Sequence, residues 1–398
     1  MTRIRLKSCL LYTKPLLITI DIRQHCAGKK NQKQPVAVSL GLLIRVRGPA
    51  DCNRKDVSAM NFNAPISKNK ITFSILSCIC VFFVICLIFM TGCGHAGTAG
   101  SPLEATGFYF DTVISIRLYE DDSGELLDGC MKLAEHYEQL LSATLEGSDI
   151  WKINHGNGSW VKVDEDTFDL LTIALDFARG SDGLVDPAVG GLSRLWNFGS
   201  ANEGIVPSDE QIQEKLTHVD YNAIAVGDGE VMLTDPETQI DLGFIAKGFI
   251  GDKIKEYLFS EGVSHALINL GGNVVTLGGR PDGSPFRVGI RNPSEKDGAP
   301  LLTLELSDKS VVSSGNYERF FVKDGKLYHH ILSTATGYPA ESGLSQVTII
   351  SPDSTRADAL STLCYISGYE KAASLLENYP DIQAIFVTED GEIIYHMS

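Results

Sequence analysis

The stretch QVTIISPDSTRADALSTLCYI (residues 346–366) decides the fold class, because it joins a strand to a helix through a sharp turn. Residues 346–350 are rich in β-branched side chains, and the Ser-Pro-Asp turn places a capping residue before a helix over residues 354–366. Downstream, an Asp-Gly turn predicts a hairpin over residues 382–396, because glycine tolerates the positive φ of such turns. A helix followed by a hairpin indicates an α+β fold.

The same mixture of elements continues upstream. Alternation of apolar and polar residues predicts a strand over residues 112–119, and glycine turns predict hairpins over residues 223–233 and 320–331. Helical spacing of apolar residues predicts three helices, over residues 125–142, 166–179 and 246–259. No linker forces a domain boundary among them. We therefore expect one α+β domain over residues 106–398, with mixed, largely antiparallel sheets and flanking helices.

The charge of the chain is unevenly distributed. It has 34 Lys and Arg against 50 Asp and Glu, a net charge of −16, yet residues 1–59 carry 12 basic and only 3 acidic side chains. From Cys93 onward, 20 basic residues face 47 acidic ones, a net charge of −27. Such a field repels phosphate backbones, so nucleic acid is excluded as a partner. An anionic ligand would need a local device such as a metal ion or a helix N-terminus.

An apolar segment precedes the predicted domain. Residues 71–90 (ITFSILSCICVFFVICLIFM) carry no charge, and a run of ~20 such residues has the length of a bilayer span. Directly after it, Met90-Thr91-Gly92-Cys93 resembles a lipobox, which predicts cleavage before Cys93 and lipidation of that cysteine. The alternative is an uncleaved signal anchor.

These features divide the N-terminal part of the chain into three segments. Met60 begins a normal signal n-region, so we expect residues 1–59 to be a dispensable extension. Residues 60–92 are the predicted lipoprotein signal peptide, and residues 93–105 are the predicted flexible tether. With either type of anchor, the remaining chain would be held at the cell membrane and face outside the cytoplasm.

Asp358 and Thr362 are the first candidates for chemistry. They are four residues apart, so a carboxylate and a hydroxyl share one face near the start of the predicted helix. Magnesium takes oxygen ligands and commonly binds through one or two protein groups plus substrate phosphates. Taken alone, an aspartate in a first helical turn is more often a residue that interacts with the helix dipole.

Two glycine-containing stretches could approach a ligand. Residues 241–248 (DLGFIAKG) are a strand end that turns into a helix, which presents carbonyls, N-terminal amides and Lys247 in a way that suits a diphosphate. Residues 269–273 (NLGGN) would let backbone approach a ligand closely. Taken alone, tight turns and a solvated lysine explain both stretches.

A pair of histidines ends the predicted hairpin of residues 320–331. Strand alternation places His329 and His330 on opposite faces, so at most one of them faces a site unless the strand is bulged. A neutral histidine can take a proton from an attacking hydroxyl. The alternative is a packed or solvent-facing strand histidine.

Together these motifs resemble the ApbE family of FAD:protein FMN transferases. The resemblance covers nearly everything from Phe108 onward and rests on the order and wording of nine stretches: residues 110–114, 183–190, 195–199, 241–248, 269–273, 313–319, 329–331, 336–339 and 357–362. It departs from the usual family pattern at two places. Ser333-Thr334 stand where relatives usually have Asp-Pro, and Thr144 stands where an aromatic ring often stacks on the flavin.

The resemblance implies an α+β fold, an FAD site and a magnesium ion. The implied Mg²⁺ ligands are the Asp358 carboxylate, the Thr362 hydroxyl and the backbone carbonyl of Phe244. The positions at which relatives contact FAD are Leu184, Val185, Asp186, Asp241, Lys247 and Leu332.

The implied reaction is displacement at the FMN-side phosphorus of FAD. A Ser or Thr hydroxyl of an acceptor protein attacks and AMP leaves, with His330 as candidate base, Asp358 primarily a metal ligand and Lys247 as an assisting charge. Export suggests acceptors in membrane redox complexes, such as Rnf-type complexes or sodium-translocating NADH:quinone reductase. Two alternatives remain: a magnesium-dependent FAD pyrophosphatase and a lipoprotein that binds FAD without turnover.

Overall fold

The computed structural model describes residues 17–25, 39–47, 102–120, 124–199, 204–295 and 298–397. The chain divides into two compact units, residues 1–96 and 97–398. In the first unit, strands β1 (Leu17–His25) and β2 (Ser39–Arg47) form an antiparallel pair within the predicted dispensable extension. The predicted signal peptide and Cys93 lie outside the described residues. None of the helices within those described ranges has the length and apolar character needed to cross a membrane.

The second unit alternates strands and helices along the chain. Its strands are β3 (Leu103–Tyr109), β4 (Thr112–Leu118), β5 (Val161–Lys162), β6 (Ile224–Gly227), β7 (Glu230–Leu233), β8 (Ala266–Leu270), β9 (Asn273–Leu277), β10 (Phe286–Ile290), β11 (Leu302–Leu306), β12 (Ser310–Gly315), β13 (Phe320–Lys323), β14 (Lys326–His329), β15 (Leu344–Ser351), β16 (Gln383–Thr388) and β17 (Ile393–Met397). Its helices are α1 (Gly124–Leu141), α2 (Asp149–Asn154), α3 (Glu165–Gly180), α4 (Gly190–Trp196), α5 (Asp209–Leu216), α6 (Ala246–Ser260), α7 (Ser354–Ser367) and α8 (Tyr369–Leu376).

An eight-stranded antiparallel sheet forms the centre of this unit. Its strand order is β17-β16-β15-β12-β9-β8-β4-β3, and smaller sheets are formed by β5-β7-β6, β10-β11 and β13-β14. Helices pack on one face of the large sheet, with Ile250 and Ile254 of α6 in one apolar cluster and Leu360 of α7 in a second. This arrangement confirms the predicted α+β class with largely antiparallel sheets and flanking helices.

The predicted elements from the sequence agree with the observed ones to within a few residues, apart from the start of the domain. Strand β3 begins at Leu103, so the last three residues of the predicted tether, residues 103–105, belong to a strand. Strand β3 is an edge strand and has no fully buried residue. Its sequence therefore lacks the apolar alternation by which the neighbouring strand β4 was recognised.

The end of the large sheet is what positions the functional residues. Strand β8 ends at Leu270, which pairs with Asn273 at the start of β9, and Leu270 also pairs with Ile114 near the start of β4. Strand β12 ends at Gly315, which pairs with Gln346 near the start of β15. Because these strands are antiparallel neighbours, their loops gather at one end of the sheet, close to the middle of α7, where Ser361 and Thr362 contact Ser314. The first turn of α6 reaches the same part of α7, because Gly248 contacts Asp358.

Candidate active site

Gly248 allows helices α6 and α7 to touch. A Cβ atom at this position would lie 2.3 Å from the carbonyl oxygen of Ser354 and 2.7 Å from Cβ of Asp358. Without that atom, the Gly248 N–H donates a hydrogen bond of 2.8 Å to Oδ2 of Asp358. Two motifs that are 110 residues apart in sequence, residues 241–248 and 357–362, therefore meet at a single point.

Asp358 lies at this junction and is almost completely buried. Burial raises the pKa of its carboxyl group, whereas Lys247, the Gly248 N–H and Asn273 lower it. Nζ of Lys247 is 3.8 Å from Oδ1. Asn273 is close enough to affect this pKa, yet its Nδ2 meets no acceptor in hydrogen-bond geometry. Since burial outweighs these compensating groups, an additional cation beside Oδ1 would stabilise the carboxylate.

A chain of hydroxyl groups orients Thr362. Oγ of Ser314, near the end of β12, is 3.1 Å from Oγ1 of Thr362 and 2.7 Å from Oγ of Ser361. Ser361 in turn donates to the carbonyl oxygen of Asp358 at 2.8 Å. The network ties the strand end to the helix and holds the Thr362 hydroxyl on the same side of α7 as Asp358.

The three predicted metal ligands form an oxygen-donor set. A regular helix would direct the Gly248 N–H at the carbonyl of Phe244, but here it is directed at Asp358. That leaves the Phe244 carbonyl at the opening turn of α6 available to a ligand. No group of three or more His, Cys, Asp or Glu side chains suited to a metal occurs in the described part of the chain. A carboxylate, a hydroxyl and a carbonyl fit a magnesium ion that takes its other ligands from phosphate and water.

The two histidines after β13 have different surroundings. The His329 side chain is buried, with Nε2 3.2 Å from the carbonyl oxygen of Ala340 and its ring beside Tyr365. Burial lowers the pKa of His329 to about 4. Burial also lowers the pKa of His330 to about 3, with smaller contributions from His329, Lys247 and Arg319. Lys247 therefore acts on the pKa of His330 and not on that of His329. The role of His330 as a base stays a prediction.

Glu318 is a member of the site to which sequence reasoning gave no role. Its side chain is open to solvent, yet burial raises its pKa, and Lys247 and Asp358 also affect that pKa. Glu318 is accessible to solvent and is also closely surrounded by protein, so it lines a cleft. The only sequence signal for it was its place within the 313–319 stretch.

Hydrogen bonds join the loops that are predicted to contact FAD. Oγ1 of Thr334 donates to the carbonyl oxygen of Gly183 at 2.7 Å, and the Asp241 N–H donates to the carbonyl oxygen of Pro187 at 2.8 Å. Thr334 thus supplies a polar tie in the loop where the sequence departs from the usual Asp-Pro. The joined loops carry five predicted FAD contacts: Leu184, Val185, Asp186, Asp241 and Leu332. Val185 and Leu332 are buried.

Asp186 and Asp241 each accept hydrogen bonds from backbone amides and so hold the nearby loops in place. Asp186 is buried and accepts hydrogen bonds from the amides of Ala188 at 2.7 Å and Tyr221 at 2.9 Å. Burial raises the pKa of Asp186 to about 6. Oδ1 of Asp241 accepts from the Gly243 amide at 2.8 Å. The contacts of these residues with FAD remain predictions.

Thr144, the position that lacks a flavin-stacking ring, lies on an exposed loop. Its backbone amide and hydroxyl both lie 3.3 Å from Oγ of Ser142. The loop begins where α1 ends. That no ring stacks on the flavin from position 144 remains a prediction.

Comparisons with known proteins show which family this chain resembles. The ApbE family pattern matches residues 110–386. A FAD:protein FMN transferase of Treponema pallidum is 34% identical over 339 residues, covering 79% of this chain and 93% of the relative. One from Klebsiella pneumoniae is 37% identical over 284 residues, covering 71% of this chain and 87% of the relative.

Solved structures show the same fold. The crystal structure of the ApbE protein from Thermotoga maritima superposes with a TM-score of 0.69 at 34% identity, covering 74% of this chain and 96% of its own. The flavin transferase ApbE from Vibrio cholerae gives a TM-score of 0.67 at 25% identity, with coverage of 74% and 96%. The family pattern covers most of the chain, and the relatives from Treponema pallidum and Klebsiella pneumoniae are both more than 30% identical to it over most of their length. This chain therefore belongs to the ApbE family.

Proposed function

We propose that this protein is an FAD:protein FMN transferase, which moves the FMN half of FAD onto a Ser or Thr hydroxyl of an acceptor protein and releases AMP. The observation that carries this proposal is the junction of α6 and α7, where Gly248 brings Lys247, the Asp358 carboxylate and the start of α6 together. The relatives named FAD:protein FMN transferase support the same reaction.

The start of α6 is suited to the diphosphate of FAD. The N-terminal amides of a helix attract anions, and Lys247 adds a positive charge at the same place. The chain from Cys93 onward has a net charge of −27, so a local concentration of positive charge is needed to hold an anionic substrate. Lys247 is half-buried, which strengthens its interaction with a bound phosphate compared with a fully solvated lysine.

We further propose that Asp358, Thr362 and the Phe244 carbonyl hold Mg²⁺. When bound, the ion would neutralise the negative charge of the diphosphate and the negative charge that develops on the leaving AMP oxygen. Ser314 fixes the direction of the Thr362 hydroxyl, and Gly248 fixes one oxygen of Asp358. Both contacts reduce the reorganisation that ligand binding requires.

His330 is the proposed base. Its Nδ1 is buried without a hydrogen-bond partner, which leaves Nε2 as the nitrogen that takes the proton from the acceptor hydroxyl. As that oxygen bonds to phosphorus, the bond from phosphorus to the AMP oxygen breaks. A pKa near 3 makes His330 a weak base in the free protein. The negative charge of a bound diphosphate would raise that pKa toward the range useful for proton transfer.

The location and partners also belong to the proposal. The uncharged run at residues 71–90 and the Thr-Gly-Cys that follows it support attachment to the cell membrane through a lipid on Cys93. Acceptors would then be subunits of membrane redox complexes of the Rnf type or of sodium-translocating NADH:quinone reductase. Cys93→Ala should abolish labelling with a radioactive fatty acid, and deletion of residues 1–59 should leave labelling unchanged. Persistent labelling of the Cys93 variant would contradict the anchor.

The reaction is tested by co-expression with the flavin-accepting domain of an Rnf-type subunit, followed by mass spectrometry of that domain. We expect the added mass of FMN with the wild-type enzyme in magnesium, and no addition after EDTA treatment or with Asp358→Ala. Free FMN and AMP without a modified domain would instead indicate a pyrophosphatase. FAD that stays intact would indicate a binding protein without turnover.

A further inference from the structure

Apolar side chains are exposed on two hairpins, β3–β4 and β13–β14, which Arg319 links to each other. On hairpin β3–β4, Phe108 and Val113 lie opposite each other, and on hairpin β13–β14, Val322 lies opposite Leu327. Opposite residues of an antiparallel pair share a face. These four residues and Phe320 form what we name the rim patch, with exposed fractions of 67% for Phe108, 56% for Val113, 48% for Phe320, 61% for Val322 and 36% for Leu327. A cluster of such residues marks an interaction surface more strongly than single exposed ones do.

The rim patch is continuous with the candidate active site. Phe320 directly follows Glu318 and Arg319, and Glu318 lies in the electrostatic field of Lys247 and Asp358. Arg319 also joins the two hairpins, because its Nη2 donates to the carbonyl oxygen of Phe110 at 3.4 Å. The β13–β14 part of the patch therefore begins beside the cleft, and Arg319 links it to hairpin β3–β4.

The opposite face of hairpin β13–β14 is firmly packed. Phe321 stacks on Tyr328 with ring centroids 5.3 Å apart, and Phe321 also stacks on Phe198 at 5.6 Å. Tyr328 in turn lies beside the buried ring of Trp196. Because this face anchors the hairpin, the exposure of its other face is not a consequence of a loosely held segment.

The chemistry of the rim patch fits a polypeptide. Among the described residues, β13 and β14 pair only with each other, so each has a free edge, and β3 is the edge strand of the large sheet. Free edges and apolar side chains together recognise an extended segment of another chain. FAD, with its anionic diphosphate, would gain little from them. Arg319 and Lys323 lie beside the patch in an otherwise acidic chain, so a segment with acidic residues next to apolar ones would be complementary.

We propose that the rim patch is the docking surface of the acceptor protein, which lays an apolar segment with acidic neighbours across it and so delivers its hydroxyl to the cleft. This inference rests on the proposed function, since only a transferase must admit a protein. It adds where that protein binds and which side chains it presents.

The test compares a rim-patch variant with a matched control in the full-length protein. The variant is Val322→Ser with Leu327→Ser, which leaves the packed face of the hairpin intact. The control is Phe259→Ser, whose side chain is 71% exposed and lines a separate surface pocket formed by α3, α6 and the start of α7. The substrate is the flavin-accepting domain used above, and FMN transfer is measured as a function of its concentration and of FAD concentration.

We expect the KM for the acceptor domain to rise about tenfold or more, which corresponds to 1.4 kcal/mol of lost binding. The kcat at saturating acceptor and the KM for FAD should change less than about twofold, and the control should match the wild type. An unchanged KM for the acceptor in the rim-patch variant, or an equal rise in the control, would overturn the proposal.

Two other occupants of the rim patch are distinguished by parallel measurements. If the wild type self-associates in sedimentation experiments and the variant does not, the patch is a contact between copies of this chain. If only the wild type binds vesicles of phosphatidylglycerol and phosphatidylethanolamine, it is a membrane contact. Either result overturns docking of the acceptor. A wild-type enzyme that modifies no acceptor contradicts the proposed function itself, and the docking proposal with it.

Discussion

Gly248→Ala is the substitution that the structure predicts most sharply. The new Cβ would lie 2.3 Å from the Ser354 carbonyl oxygen, whereas ordinary contacts begin at 3.4 Å. Helices α6 and α7 would therefore have to separate locally by about 1 Å, because the obstructing atoms are backbone and close packing offers no space. The separation would lengthen the hydrogen bond of 2.8 Å between the Gly248 amide and Asp358.

The expected cost follows from three contributions. Overpacking costs about 1–3 kcal/mol, and weakening a hydrogen bond to a charged group costs about 1.5–3 kcal/mol. Alanine returns about 1 kcal/mol through its higher helix propensity. We therefore expect the free energy of unfolding to fall by about 1.5–5 kcal/mol. FMN transfer should fall as well, because Asp358 and Lys247 would lose their shared geometry.

Urea unfolding followed by circular dichroism measures this change, with Gly180→Ala as the matched control. Gly180 also lies in a helix, but a Cβ atom there would meet nothing within 4 Å. The control should be neutral or slightly stabilised, because alanine reduces the conformational entropy of the unfolded chain. A Gly248→Ala protein as stable and as active as the wild type would refute the idea that close helix contact builds the site.

Asp358→Ala removes the one charged group among the proposed Mg²⁺ ligands, so transfer should fall much further than in Thr362→Ala, where water can replace the hydroxyl; equal losses in a transfer assay would contradict this assignment. In His330→Asn, FAD should bind within roughly tenfold of the wild-type affinity while transfer falls about 100-fold, and the same loss in His329→Asn instead would mean that His329 faces the substrate. Burial depresses the pKa of His329 from 6.5 to about 4, so the stability that its neutral form contributes is complete above pH 6.5 and is lost as the pH falls toward 4. Urea unfolding of His329→Gln should show a flatter pH dependence than the wild type in that window, and an identical slope would rule out this linkage.

Much of the fold could be predicted because it is encoded locally. The Asp228-Gly229 and Asp324-Gly325 turns adopt the positive φ angles that their sequences predict. Asp353 caps α7 by accepting from the Arg356 amide, as the Ser-Pro-Asp turn indicated. Strands β10 and β11 had no comparable signal. Their pairing joins residues 286–290 and 302–306 across residues 291–301, a connection much longer than the two-residue loop that an Asp-Gly hairpin turn predicts.

The site could be predicted only in parts. Each motif was visible in the sequence, but the contact that joins them depends on a missing side chain at Gly248 and spans 110 residues. No periodic pattern of residues in the sequence indicates such a contact. The same is true of Ser314, whose hydroxyl reaches Thr362 from a different element. Glu318 combines solvent exposure with a raised pKa, and both depend on the shape of the cleft rather than on neighbouring residues.

The Asp186 carboxylate organises backbone at the predicted flavin site. Its two oxygens are occupied by the amides of Ala188 and Tyr221, which belong to different segments of the chain. The carboxylate therefore fixes the loop of residues 183–190 against the turn at residues 221–223. Its negative charge is neutralised in part by those amides and lies buried. A flavin contact at this position would then come from the shaped backbone, and substitution of Asp186 would weaken flavin binding by releasing the loop.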